Sequence, residues 1–138
     1  MIQAPCTIYS LGGNNQRAFE LDAIQRTPCH VHTFDCTGPI ERFFHVPKKD
    51  RIHVHHICIV PKSSSKRDER DKRVQGRQMT LAAVQHELRH GQIDLLKMDI
   101  EGYEWSIMLE WYTVFDLRSK SVHLPMQILV EIHHRTQR

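Results

Sequence analysis

Apolar residues along this chain fall in short runs separated by polar and glycine-rich breaks. Thr7-Ile8-Tyr9-Ser10-Leu11 is β-branched and aromatic and runs into Gly12-Gly13-Asn14-Asn15. That pattern predicts a strand closed by a tight turn. From Arg17 to Gln25 the apolar positions Ala18, Phe19, Leu21, Ala23 and Ile24 have helical spacing, and Pro28 breaks the element. Cys29 to Asp35, with Val31 and Phe34, predicts a second short strand, and Cys36-Thr37-Gly38-Pro39 follows as a turn. Ile52 to Val60 predicts a third strand. Thr80 suits the N-cap of a helix over Leu81 to Arg89, with Gly91 as its stop. Ile93 to Met98 predicts a buried strand ending at Asp99, and a helix is expected from about Glu104 through Glu110. Gln127 to Ile132, introduced by Pro125, predicts a fifth strand.

This alternation is an α/β pattern, and its near-continuous apolar strands suit a parallel sheet. Ligands of such sheets bind at the carboxyl ends of the strands. Those ends are polar here: Gly12-Gly13-Asn14 after the first strand, Asp35 after the second, Asp99-Ile100-Glu101-Gly102 after the fourth, and Glu131, His133 and His134 at the fifth.

The residue types restrict the ligand. A glycine turn admits close approach to the backbone, and the following helix N-terminus offers N–H groups to a carboxylate. An acid at the end of the second strand can accept both hydroxyls of a ribose. The turn lacks the full G-x-G-x-x-G pattern, which disfavours a nicotinamide dinucleotide, and it lacks G-x-x-x-x-G-K-[ST], which excludes a phosphate-binding loop. A nucleoside with an amino-acid tail and no phosphates remains, and S-adenosyl-L-methionine is such a molecule. The candidate cofactor residues are Gly12, Gly13, Asn14, Asp35 and Asp99. The candidate catalytic residues are Asp99, Glu101 and His133. Two carboxylates after one strand can divide the work of holding a cofactor and orienting or deprotonating an acceptor hydroxyl, and a histidine there can serve as a base.

Leu95-Leu96-Lys97-Met98-Asp99-Ile100-Glu101-Gly102-Tyr103-Glu104-Trp105 resembles the strand-four block of FkbM-like methyltransferases, and more narrowly that of the methyltransferase-like 24 group. Ile8-Tyr9-Ser10-Leu11-Gly12 with Phe19-Glu20, Val31-His32-Thr33-Phe34-Asp35, and Ile128-Leu129-Val130-Glu131-Ile132-His133 are similar to three further blocks of that group, in the same order. The resemblance implies a Rossmann-like class I methyltransferase sheet, largely parallel in the order 3-2-1-4-5 with helices on both faces. It implies S-adenosyl-L-methionine as cofactor and O-methyl transfer to a small-molecule or glycan-like acceptor. Where the group often carries an acid in the glycine turn, this chain has Asn14 and Asn15. Its sheet has seven strands, so this sequence is expected to lack the last two. The apolar edge at 128–132 would then call for a covering partner chain.

The remaining composition changes this picture little. The chain has 138 residues, 40% hydrophobic and 25% charged, which predicts one soluble domain over 1–138. No apolar run reaches the roughly 18 residues of a membrane span, and Met1 to Cys6 shows no signal-peptide pattern. The net charge is +3, and the charged run within 62–77 alternates in sign, which argues for a mobile solvated loop over 61–78 and against nucleic acid. Cys6, Cys29, Cys36 and Cys58 form no C-x-x-C pair; Cys6 and Cys29 open neighbouring strands within disulfide reach, but reduced, half-buried thiols are the favoured reading. Of the 11 histidines, His30 with His32 and His53 with His55 lie two apart on strands. A four-histidine metal site would need both pairs on one face, and the expectation is partnered strand histidines with no metal. Trp105, Trp111, Met98 and Met108 are expected to pack. Two classes of function remain open besides a metal module: an active methyltransferase and a non-catalytic remnant of its fold.

Overall fold

The computed structural model describes residues 5–13, 17–43, 50–62, 74–100, 102–114 and 124–132. In chain order these form β1 (Thr7–Leu11), α1 (Ala18–Arg26), β2 (His30–Phe34), a 3-10 turn over Ile40–Phe43, β3 (Ile52–His55), β4 (Ile57–Ile59), β5 (Arg77–Met79), α2 (Leu81–Leu88), β6 (Leu95–Met98), α3 (Glu104–Val114) and β7 (Gln127–Val130). A five-stranded parallel sheet runs β3-β2-β1-β6-β7. Counted over the five expected strands, that is the order 3-2-1-4-5. The first and fourth are neighbours, with Ile8 opposite Leu95 and Leu11 opposite Met98.

The third strand departs from expectation. It breaks at His56, so β3 stays in the main sheet while β4 leaves to pair in parallel with β5. The reason lies in the His56 backbone and ring. Its carbonyl accepts from Arg77 N–H at 3.1 Å, and its ring bonds the Gly38 carbonyl at 2.9 Å. Arg77 and Gln78, at the end of the expected loop, are therefore strand residues.

Strand alternation divides the core between two faces. Ile8 and Val31 face α1, packing with Ala23, Phe19 and Ile24. Tyr9, Leu11, Phe34, Leu96 and Met98 face the other way, against Leu81 and Val84 of α2 and Ile107 of α3. These sheet side chains are at most 1% exposed, and burial of each contributes roughly 1.5–3 kcal/mol. Thr80 caps α2 by accepting from Ala83 N–H at 3.2 Å. The helix closes at Arg89, whose φ of 55° lies in the left-handed region.

The cysteines correct the sequence expectation. Cys6 is bonded to Cys29, and Cys36 to Cys58. The first bridge joins the segments entering β1 and β2. The second forms because β4 turns away from the sheet and brings Cys58 to the exit of β2. Trp105 also differs: Trp111 packs against the core, but Trp105 is 53% exposed. Met98 is buried and Met108 packs on the same cluster, as expected. At the β7 edge Met126, Ile128, Leu129 and Ile132 are exposed. Among the described residues no helix is long and apolar enough to cross a membrane.

Candidate functional site

The carboxyl ends of β2, β1 and β6 lie side by side and present Asp35, Gly12 with Gly13, and Asp99 on one crest. The glycine turn is held from three directions. Gly12 N–H donates to the Phe34 carbonyl at 3.0 Å, and the Lys97 ammonium donates to the Gly12 carbonyl at 3.3 Å. The third constraint is steric. Gly12 has φ +70°, and a Cβ there would lie 1.9 Å from the Asp99 carbonyl oxygen. Asp99 N–H in turn donates to the Leu11 carbonyl at 3.0 Å. The glycine expected to admit a ligand thus also admits the backbone leaving β6.

Beneath this turn, α1 is tied to the sheet by buried polar groups. Ser10 Oγ donates to Glu20 Oε1 at 2.7 Å, and the Arg17 guanidinium donates to Thr33 Oγ1 at 3.3 Å. Lys97 Nζ also lies 5.8 Å from the centre of the Phe19 ring. Glu20 is 1% exposed, so this carboxylate is part of the scaffold.

Asp35 is buried at the exit of β2. Its Oδ1 accepts from Thr37 N–H at 2.8 Å and from Thr37 Oγ1 at 2.6 Å, an Asx-type turn that fixes the carboxylate. No bond to Oδ2 occurs among the described residues, so that oxygen is available to a ribose hydroxyl. Asp99 is half-buried at the end of β6. Asn14, Glu101 and His133 lie outside the described residues.

Glu104 carries a role that the sequence did not signal beyond its place in a helix first turn. It is fully buried. Its Oε1 accepts from Ile100 N–H and its Oε2 from Gly102 N–H, both at 2.8 Å. The carboxylate therefore shapes the Asp99–Gly102 loop from inside, and Gly102 meets the turn with a φ of 101°. Four residues between the strand-end Asp99 and the helix first-turn Glu104 were the available signal.

The histidines gather at a different place, on the α2 face of the sheet. Both strand pairs share that face, and their rings interleave as His30, His53, His32 and His55, then Phe34. Successive ring centres are 5.2, 4.5, 5.2 and 4.7 Å apart, all nearly parallel. His30 Nδ1 bonds His53 Nε2 and His32 Nδ1 bonds His55 Nε2, each at 2.9 Å. His90, after α2, packs edge-on to His32 and bonds the Tyr9 hydroxyl at 2.6 Å. Burial raises the Tyr9 pKa, so the hydroxyl in this bond stays protonated. Burial, then the neighbouring imidazoles, pushes His32 down to about 3 and His55 to about 4. His53 and His90 are lowered for the same reasons. Among the described residues no group of three or more His, Cys, Asp or Glu side chains is arranged to hold a metal ion.

A parallel sheet with a glycine turn on its central strand and acids on the strands either side defines a Rossmann-like α/β domain. The chain belongs to the methyltransferase domain family, whose profile matches residues 1–138. It is 31% identical over 111 residues to probable methyltransferase-like protein 24 of Rattus norvegicus, and 28% identical over 109 residues to the Homo sapiens protein of the same name. Each alignment covers 75% of this chain and 27% of the relative, so the chain spans about a quarter of the curated relatives' length. No solved structure matches it.

Proposed function

We propose that this domain binds S-adenosyl-L-methionine on the Asp35–Gly12–Asp99 crest and takes part in O-methyl transfer to a small-molecule or glycan-like acceptor. The observation that carries this reading is Asp35: a buried carboxylate beside the glycine turn, with Oδ1 fixed by Thr37 and Oδ2 available. That arrangement fits ribose hydroxyls. The Gly12-Gly13 backbone and Asn14 would receive the amino-acid tail. The cofactor supplies an electrophilic methyl group on its sulfonium.

Asp99 is proposed to orient an acceptor hydroxyl and take its proton as the oxygen receives the methyl group. Glu101 and His133, which follow the ends of β6 and β7 in the sequence, are proposed to assist in positioning or proton transfer. The β7 edge is proposed to be covered by further polypeptide or a partner chain, since exposed apolar edges invite association.

Calorimetric titration with S-adenosylhomocysteine tests the reading. Asp35→Ala should weaken binding by roughly 1.5–3 kcal/mol, the scale of hydrogen bonds to a charged group. Absence of binding by the parent chain, or equal binding by the variant, refutes it. Binding without turnover in a full-length protein would mark a cofactor-binding fold without catalysis.

A further inference from the structure

The two disulfides sit at opposite ends of β2. Cys6–Cys29 closes the entry to β1 and β2, and Cys36–Cys58 closes the exit of β2. Cys36 stands between Asp35 and Thr37, the residue that holds the Asp35 carboxylate through its N–H and hydroxyl.

Asp35 N–H still bonds the β3 backbone, at the His55 carbonyl. Beyond it the chain leaves the main sheet. Its position there is set from the β4–β5 side. Cys36 N–H donates to Cys58 Sγ at 3.1 Å, and the Cys36 carbonyl accepts from Gln75 N–H at 2.9 Å and Gly76 N–H at 3.0 Å. Thr37 bridges Val74. Gly76 has no room for a Cβ, which would lie 2.9 Å from Cys36 Cβ and 2.4 Å from the His56 carbonyl oxygen.

We infer that the Cys36–Cys58 bridge is a positioning element for the proposed ribose site, holding the Asp35–Thr37 turn in its binding geometry. This rests on the cofactor reading above. The Cys6–Cys29 bridge is the internal control. It closes a loop of nearly the same length, 23 against 22 residues. Loop-closure entropy therefore makes the two bridges comparable in stability, but only one lies beside Asp35. Both form where thiols are oxidised, so all variants should be produced in an oxidising host.

The experiment compares the whole chain with C36S/C58S and C6S/C29S. The ligands are S-adenosylhomocysteine and its 2′-deoxy analogue. Both variants should melt at lower temperature. C36S/C58S should lose about tenfold or more in S-adenosylhomocysteine affinity, the scale of one hydrogen bond to a charged group. Its preference for the ribose hydroxyl should collapse. C6S/C29S should keep both affinity and preference.

If C36S/C58S does not fold, C36A/C58V keeps the apolar volume without the link. Thr37→Val keeps the bridge and should by itself blunt the hydroxyl preference. Unchanged preference in Thr37→Val, or equal affinity losses in the two bridge variants, overturns the inference. Failure of the parent chain to bind S-adenosylhomocysteine overturns the cofactor reading instead.

Discussion

Acid should destabilise this domain through its histidine stack. His32 and His55 stay neutral in the folded state, with pKa values pushed down to about 3 and about 4 by burial and by each other's neighbours. In the unfolded chain they return to about 6.5. Lowered histidine pKa values mean that below pH 6.5 the unfolded state binds protons that the folded state does not. The penalty is absent above pH 6.5 and grows as the pH falls toward the folded values. Between pH 7 and pH 5 it amounts to about 2 kcal/mol for each fully shielded ring. Both rings keep some solvent access, and screening reduces the combined cost from about 4 to about 2 kcal/mol. That is a large share of a typical stability of about 5–15 kcal/mol.

The Glu87 carboxylate near His55 works in the opposite direction but lies behind the larger burial effect. Urea unfolding at pH 7, 6 and 5 reads the cost directly. The double variant His32→Phe/His55→Phe continues the ring stack from Phe34 and should lose most of this pH dependence. An equal fall in stability with pH for parent and double variant, or a parent equally stable at pH 7 and pH 5, would refute the argument.

Three further outcomes follow from the site. Glu104→Gln leaves one acceptor where the loop requires two, so urea unfolding should show a loss of about 1–3 kcal/mol. Gly12→Ala would drive a Cβ into the Asp99 carbonyl at a positive φ, and circular dichroism should show loss of the native fold or of its cooperative melting. Asp99→Asn should leave the melting temperature within a few degrees of the parent while lowering turnover by roughly 10²–10⁴-fold in a full-length protein, the range of general-base catalysis; unchanged turnover removes Asp99 from the chemistry.

Much of the architecture was legible in the chain because it is local. Periodicity marked the main-sheet strands, Thr80 marked the start of α2, which closes at Arg89 rather than at the expected Gly91, and the glycine turn and acids stood where the strand ends had to fall. The family-like blocks in turn ordered the sheet. Other features depend on register between segments far apart in sequence. Two histidine pairs two residues apart share a face on each strand, but only the β2–β3 pairing interleaves them and only α2 adds His90. Cysteine spacing left pairing open, because it is the departure of β4 from the main sheet that carries Cys58 to Cys36. The sequence placed Gly12 and Asp99 at strand ends; their backbones meet because β1 and β6 are neighbours in register. Local chemistry chose the elements and their polar ends, and tertiary packing chose which of those ends touch.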